Sequence, residues 1–168
     1  MAIEMETTAP AQPEYYALLS QGSSGPDTAQ VQTWLDGLRS RGMNLPALTV
    51  DGRFGHTTAE AVRAFQALAG LGVDGKVGRN TWNALYHAYA AAYGPGLVWP
   101  GVVMRSGARG GTVRAVQRML NEKDGARLNA DGRYGAATKR AVEMFQHCQR
   151  IESDGVVGRD TWDRLYGA

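Results

Sequence analysis

An eight-residue phrase occurs four times in this chain, and its spacing dictates the domain plan. The copies are Asp51-Gly-Arg-Phe-Gly-His-Thr-Thr58, Asp74-Gly-Lys-Val-Gly-Arg-Asn-Thr81, Asp131-Gly-Arg-Tyr-Gly-Ala-Ala-Thr138 and Asp154-Gly-Val-Val-Gly-Arg-Asp-Thr161. All fit Asp-Gly-x-apolar-Gly-x-x-Thr. Copies within a pair lie 23 residues apart, and the two pairs are offset by 80 residues. Self-similarity at a fixed period marks a duplicated structural unit. The match runs beyond the phrase: Phe65-Gln66 pairs with Phe145-Gln146, Thr81-Trp82 with Thr161-Trp162, and Leu85-Tyr86 with Leu165-Tyr166. Upstream, Val31-Gln32 and Leu35 pair with Val116-Gln117 and Leu120, now at an offset of 85. Leu19, Gly22 and Gly25 pair with Met104, Gly107 and Gly110. The first copy therefore carries five extra residues, placed within 41–49. Each repeat spans roughly 70 residues, near the lower size at which a domain holds its own core.

Apolar residues recur at helical spacing three times per repeat. The first repeat has Val31, Trp34, Leu35 and Leu38; then Ala61, Val62, Phe65, Leu68 and Ala69; then Trp82, Leu85, Tyr86 and Tyr89. The second has Val113, Val116, Met119 and Leu120; then Ala141, Val142, Phe145 and Cys148; then Trp162, Leu165 and Tyr166. No run sustains period-two alternation. The expected fold is all-α: two tandem three-helix bundle repeats joined by a short Gly/Pro linker, with at most a short extended stretch before each Asp-Gly. The phrase reads as a turn followed by a helix start. Asp bonds its own nearby backbone, and Gly accepts positive φ. The apolar residue anchors the turn, the second Gly opens a helix, and the Thr hydroxyl reaches a backbone group in its first turn. Trp82 and Trp162 are expected in the core.

The repeats place the boundaries at an N-terminal arm over 1–17, repeat 1 over 18–93, a linker over 94–102 and repeat 2 over 103–168. The arm, rich in Thr, Ala, Pro and Glu, is expected to be flexible or loosely docked. The linker contains Gly94, Pro95 and Gly96, which stop the preceding helix. Its Leu97, Val98 and Trp99 are too apolar for a solvated tether and are expected to pack between the repeats.

The formal net charge is only +2, which gives no concentrated basic face for nucleic acid. Arg53, Arg79, Arg133 and Arg159 recur at equivalent positions, as a local basic surface or as solvated helix starts. The single cysteine, Cys148, forms no disulfide framework and is expected as a buried, inert thiol. His56, His87 and His147 fall in no metal-ligand spacing. An EF-hand register on Asp131-Gly132 puts Arg127 at the first ligand position and Thr138 at the last, so calcium is not expected. No nucleophile elbow or phosphate loop is present, and no cofactor or metal is expected. No segment is long enough to span a bilayer, and the first residues lack the regions of a signal peptide.

The order of these residues resembles the three-helix peptidoglycan-binding domain of bacterial and phage cell-wall enzymes. Its pattern runs Leu-x-x-Gly-x-x-Gly, Val-x-x-Leu-Gln-x-x-Leu, Asp-Gly-x-Phe-Gly-x-x-Thr-x-x-Ala-Val-x-x-Phe-Gln and Asp-Gly-x-Val-Gly-x-x-Thr-Trp-x-x-Leu. The match covers about residues 18–90 and 103–168. Val31 and Val116 replace the Leu before Gln32 and Gln117, and Thr28 stands where the pattern has Val. The resemblance implies binding of peptidoglycan, as the targeting module of a cell-wall hydrolase or as a stand-alone wall protein, at the cell wall or outside the cell. The alternative is a protein-docking or structural module in a phage or spore assembly. No catalytic constellation is expected, and the chain is expected to act as a monomer.

For wall binding, candidates are residues that recur in both repeats. Arg53 and Arg133 can hold a stem-peptide carboxylate in a bidentate manner. Gln32, Gln66, Gln117 and Gln146 can bond amides of the ligand, or equally can bond loops of the fold. Phe54 and Tyr134 are ligand platforms or turn anchors. Two sites on one chain raise avidity for a polymer.

Overall fold

Each Asp-Gly phrase ends where a helix begins. The computed structural model describes residues 13–167, and among them lie six helices: α1 Pro26–Ser40, α2 His56–Ala69, α3 Arg79–Tyr93, α4 Gly111–Asp124, α5 Ala136–Cys148 and α6 Arg159–Tyr166. Gly55, Gly78, Gly135 and Gly158, the second glycines of the four phrases, are the N-caps of α2, α3, α5 and α6. The first glycines, Gly52, Gly75, Gly132 and Gly155, have φ of 76°, 73°, 77° and 72°. That left-handed conformation carries no penalty for a residue without Cβ.

The architecture is all-α, with four isolated antiparallel pairings: Leu19 with Val77, Ser24 with Arg53, Met104 with Val157, and Arg109 with Arg133. The extended residues of the phrases therefore follow Asp-Gly rather than precede it. They pair with the segment ahead of α1 or α4, which fastens the start of each repeat to its own turns.

Each repeat buries its own core. In the first, Trp34 and Trp82 meet edge to face at 4.8 Å among Leu35, Phe65, Leu85 and Tyr86. In the second, Trp162 packs with Met104, Val116, Leu120, Phe145 and Leu165. Both Thr-Trp tryptophans are thus core residues. Two apolar stripes run further than their cores. Leu68 is 57% exposed, because Ala61, Val62 and Phe65 already fill the space under α2. Cys148 is exposed rather than buried; it is the last residue of α5, one turn past Phe145.

The repeats are locked together. α1 packs on α4, and the buried Asp27 carboxylate accepts hydrogen bonds from Gly111 N (2.8 Å), Thr112 N (2.9 Å) and Thr112 Oγ1 (2.8 Å). Gly110 has φ +136°, and a Cβ there would lie 2.5 Å from that carboxylate, so its glycine is required by both backbone and space. The linker packs as its apolar residues require. Val98 joins the first core, while Leu97 and Trp99 join the second, Trp99 meeting Trp162 at 5.7 Å. Thr33 Oγ1 donates to Pro100 O at 3.0 Å.

The described end of the N-terminal arm is docked, not loose. Trp82 Nε1 donates to Pro13 O at 3.0 Å, and Tyr15 meets Trp82 edge-on. Glu14 bonds Arg114 and Arg118 of α4, and Tyr16 Oη donates to Asp131 O at 3.2 Å. The segment thus ties the core of repeat 1 to a turn of repeat 2, and its aromatic rings supply the apolar contact that a disordered arm lacks. Residues 1–12 lie outside the described part.

Candidate functional site

Four glutamines hold the four phrases. Each is buried to 1% exposure, and each helix that carries one precedes the turn it clamps. Gln66 of α2 shows the full pattern. Its Oε1 accepts from Asp74 N (3.1 Å) and Gly75 N (3.0 Å). Its Nε2 donates to Asp74 Oδ1 (2.9 Å), Lys76 O (2.9 Å) and Thr81 Oγ1 (3.1 Å). Gln32 repeats this on Asp51, Gly52, Arg53 and Thr58. Gln117 does the same on Asp131 Oδ1, Gly132, Arg133 and Thr138, and Gln146 on Asp154 Oδ1, Gly155, Val156 and Thr161, each Oε1 in repeat 2 accepting from the Gly N–H alone. A primary amide offers a carbonyl and an NH₂ side by side, which matches the paired N–H groups and clustered oxygens of an Asp-Gly turn. The phrase threonine hydroxyls accept from this amide, and Thr138 Oγ1 also donates to the backbone carbonyl of Arg133 at 3.5 Å, the kind of partner expected of them.

These positions revise the candidate list. The four glutamine amides are fully engaged within the fold, leaving no free group for a ligand. Phe54 and Tyr134 are 2% and 3% exposed, so neither ring offers a face to solvent. Tyr134 Oη donates to Gly155 O at 2.6 Å, which ties the two phrases of repeat 2, and burial raises its phenol above the ordinary tyrosine range. Arg53 and Arg133 are exposed. The structure places them in separate repeats, not in one shared pocket.

The turns build grooves. One of about 420 Å³ lies beside the first phrase, between the loop before Asp51 and the first turn of α2. Its contacts come from Leu48, Thr49, Arg53, His56 and Thr57, over Gln32 and Thr58. Another, of about 290 Å³, lies beside the fourth phrase and the first turn of α6. Its lining follows the first position by position: Ile151 for Leu48, Glu152 for Thr49, Val156 for Arg53, Arg159 for His56 and Asp160 for Thr57. The plan is common while the chemistry differs. The first groove sets Arg53 and His56 beside Asp51 and is hydroxyl-rich, and the second surrounds Arg159 with Glu152, Asp154 and Asp160. In each, the basic residue at the helix start meets an acid one turn on, His56 with Glu60 at 3.0 Å and Arg159 with Asp163 at 3.1 Å. Of these, the sequence singled out Arg53 and Arg159; His56, Thr57, Val156 and Asp160 occupy variable positions of the phrase, and Leu48, Thr49, Ile151 and Glu152 lie just ahead of it. The available signal was their fixed distance from each Asp-Gly.

Residues 24–85 and 109–165 both match the family described as "Putative peptidoglycan binding domain". The chain belongs to this family, in two tandem copies. Among similar proteins is the N-acetylmuramoyl-L-alanine amidase CwlL of Bacillus licheniformis, 34% identical over 164 residues, covering 88% of this chain and 45% of that protein. The zinc D-Ala-D-Ala carboxypeptidase of Streptomyces albus G is 41% identical over 68 residues, covering 40% of this chain and 26% of that protein. The chain thus spans less than half the length of either. The crystal structure of the SleB N-terminal domain is 35% identical, with a TM-score of 0.38, covering 44% of this chain and 94% of that one.

Among the described residues of these peptidoglycan-binding repeats, no group of three or more His, Cys, Asp or Glu side chains is placed to hold a metal ion. No helix there is long and apolar enough to cross a membrane. The clamped turns predict acid sensitivity. The N–H of Arg53 and the Gln32 amide hold Asp51 below its ordinary pKa. The N–H groups of Lys76, Arg133 and Val156 do the same for Asp74, Asp131 and Asp154. A depressed carboxylate stabilises the fold above its unfolded value of about 3.9, and that contribution is lost as pH falls through the folded value. Asp27 has the opposite sign. Burial raises it, so its contribution is full below about 3.9 and is lost as pH rises through its folded value. Glu14 is also held low, its burial outweighed by Arg118 and Arg114, so with five groups against one the melting midpoint is expected to drop as pH falls from about 6 to about 2.5, and Asp74→Asn is expected to flatten that drop. Circular dichroism melts check this; equal midpoints at the two pH values would contradict it.

Proposed function

We infer that this chain is a non-catalytic module that binds bacterial cell-wall peptidoglycan through the grooves beside its Asp-Gly turns. It acts at the cell wall, as a monomer, as the targeting part of a cell-wall hydrolase or as a stand-alone wall protein. The supporting observation is the family match in both repeats, joined to grooves whose rims are variable while their floors are clamped by Gln32 and Gln146. A rigid floor fixes the donors and acceptors of the rim, and variable rim residues are what specificity requires. The matches to CwlL and to the Streptomyces carboxypeptidase support a place beside a hydrolase domain.

Arg53 and Arg133 are the side chains assigned to anionic groups of the ligand. Co-sedimentation with purified sacculi tests this, with chitin and cellulose as controls. The Arg53→Ala, Arg133→Ala double variant is expected to bind about tenfold more weakly, roughly the worth of two exposed charge pairs. Unchanged binding would remove these arginines from the site. Failure of the unaltered protein to bind sacculi of several wall types would contradict the function.

A further inference from the structure

Repeat 2 sets two arginines directly opposite each other. Arg109 and Arg133 form an antiparallel pairing flanked by Gly110 N to Gly132 O (3.0 Å) and Tyr134 N to Ala108 O (2.9 Å). This is the non-hydrogen-bonded kind of pair, in which facing side chains lie closest. Like charges so placed are destabilising. The equivalent pair in repeat 1 is Ser24 with Arg53, which has no such conflict. Arg109 also lines a shallow cleft between the repeats, about 450 Å³ in volume, together with Arg105 of its own repeat and Arg53 of the other. Val102 and Val103 form an apolar side of the same cleft.

All four arginines are exposed. Among the described residues, none has a carboxylate within ion-pair distance. Elsewhere at the inter-repeat boundary, Arg114 and Arg118 are both satisfied by Glu14. The neighbouring Asp51 and Asp131 turn Oδ1 into their own loops, where it accepts from Arg53 N and Arg133 N at 2.9 Å each. The guanidinium groups face solvent, and Arg53, Arg133 and Arg105 act on Asp51, Asp131 and Asp154 only at longer range.

We propose that the inter-repeat cleft is a second ligand subsite, which takes a carboxylate-bearing stem peptide of the wall polymer. Arg53, Arg105 and Arg109 bind the carboxylate, and Val102 and Val103 contact the aliphatic side chains beside it. This rests on the wall-binding reading above and assigns the chemical class recognised. Guanidinium matches planar carboxylate and phosphate alike; the valine wall favours the peptide. Because the repeats are locked through Asp27 and the linker, the arginines of both repeats are held in place before the ligand arrives.

The test uses the full chain, native sacculi, sacculi whose carboxyl groups have been amidated, and sacculi stripped of phosphodiester polymers. The unaltered protein is expected to bind amidated sacculi about tenfold more weakly than native ones, and stripped sacculi as well as native ones. The Arg105→Gln, Arg109→Gln double variant is expected to bind native sacculi more weakly than the unaltered protein and to lose less on amidation, the remaining loss belonging to Arg53 and Arg133. Arg105→Gln gives up a surface attraction to Asp154 and Arg109→Gln relieves the repulsion from Arg133; both are small at exposed positions, so the melting midpoint should stay within about 2 °C of the unaltered protein, which separates lost binding from lost folding. Equal binding of native and amidated sacculi by the unaltered protein would overturn the proposal, and with it any carboxylate partner for Arg53 and Arg133, while wall binding itself stands. Loss of binding on stripped sacculi alone would overturn it in favour of phosphate. No binding to any preparation would overturn both readings.

Discussion

Gln66→Glu is expected to destabilise the first repeat by about 3–5 kcal/mol, the range for breaking a buried hydrogen-bond network. The two side chains have nearly the same shape, so packing is hardly changed. What changes is that an oxygen replaces Nε2 opposite Asp74 Oδ1, Lys76 O and Thr81 Oγ1. Two N–H donors shared among three acceptors are lost; the Thr81 hydroxyl can turn to donate, but Asp74 Oδ1 and Lys76 O are left facing an oxygen, one of them carboxylate against carboxylate, at a site only 1% exposed. For a domain of this size a loss of that order lowers the melting midpoint by more than about 10 °C. Differential scanning calorimetry reads it directly. A midpoint within about 2 °C of the unaltered protein would show that the glutamine only fills space.

Asp27→Ala is expected to cost about 2–4 kcal/mol and to uncouple the repeats. Gly110, the N-cap of α4, supplies no side-chain cap of its own. Asp27 takes that role across the boundary, accepting from Gly111 N and Thr112 N. Burial makes an ionised carboxylate costly, and the α4 N–H groups and helix dipole offset that cost. Without the carboxylate, both N–H groups lose their partner inside a closed interface, where water cannot readily replace it. The calorimetric transition should then split in two, and ¹⁵N relaxation should report faster, separate tumbling of the repeats. A single transition at the original midpoint would contradict this account.

The helices, the duplication and the role of the second glycine were legible in the sequence, because apolar periodicity and turn chemistry are local. The role of the glutamines was half legible. Each phrase follows a helix that carries one of Gln32, Gln66, Gln117 or Gln146, but only the folded chain shows each amide buried on the next turn. The Asp27 contact was not legible from the repeat. Its equivalent in repeat 2 is Thr112, and the two equivalent positions bond each other; a comparison that aligns the repeats cannot show that they touch. Cys148, expected buried, is exposed, and Leu68 is exposed for the same physical reason. They continue an apolar stripe at the correct spacing, and the stripe outlasts the core beneath it. The grooves were hidden because, apart from Arg53 and Arg159, their rims come from positions where the phrase varies and from residues just ahead of it.

Chemical-shift mapping of the ¹⁵N-labelled protein with soluble peptidoglycan fragments tests the central claim most directly. The account predicts saturable shifts at Arg53, His56 and Thr57 and at Ile151, Arg159 and Asp160, the two grooves beside the clamped turns. Absence of shifts, or shifts confined to surfaces remote from every Asp-Gly turn, would contradict it.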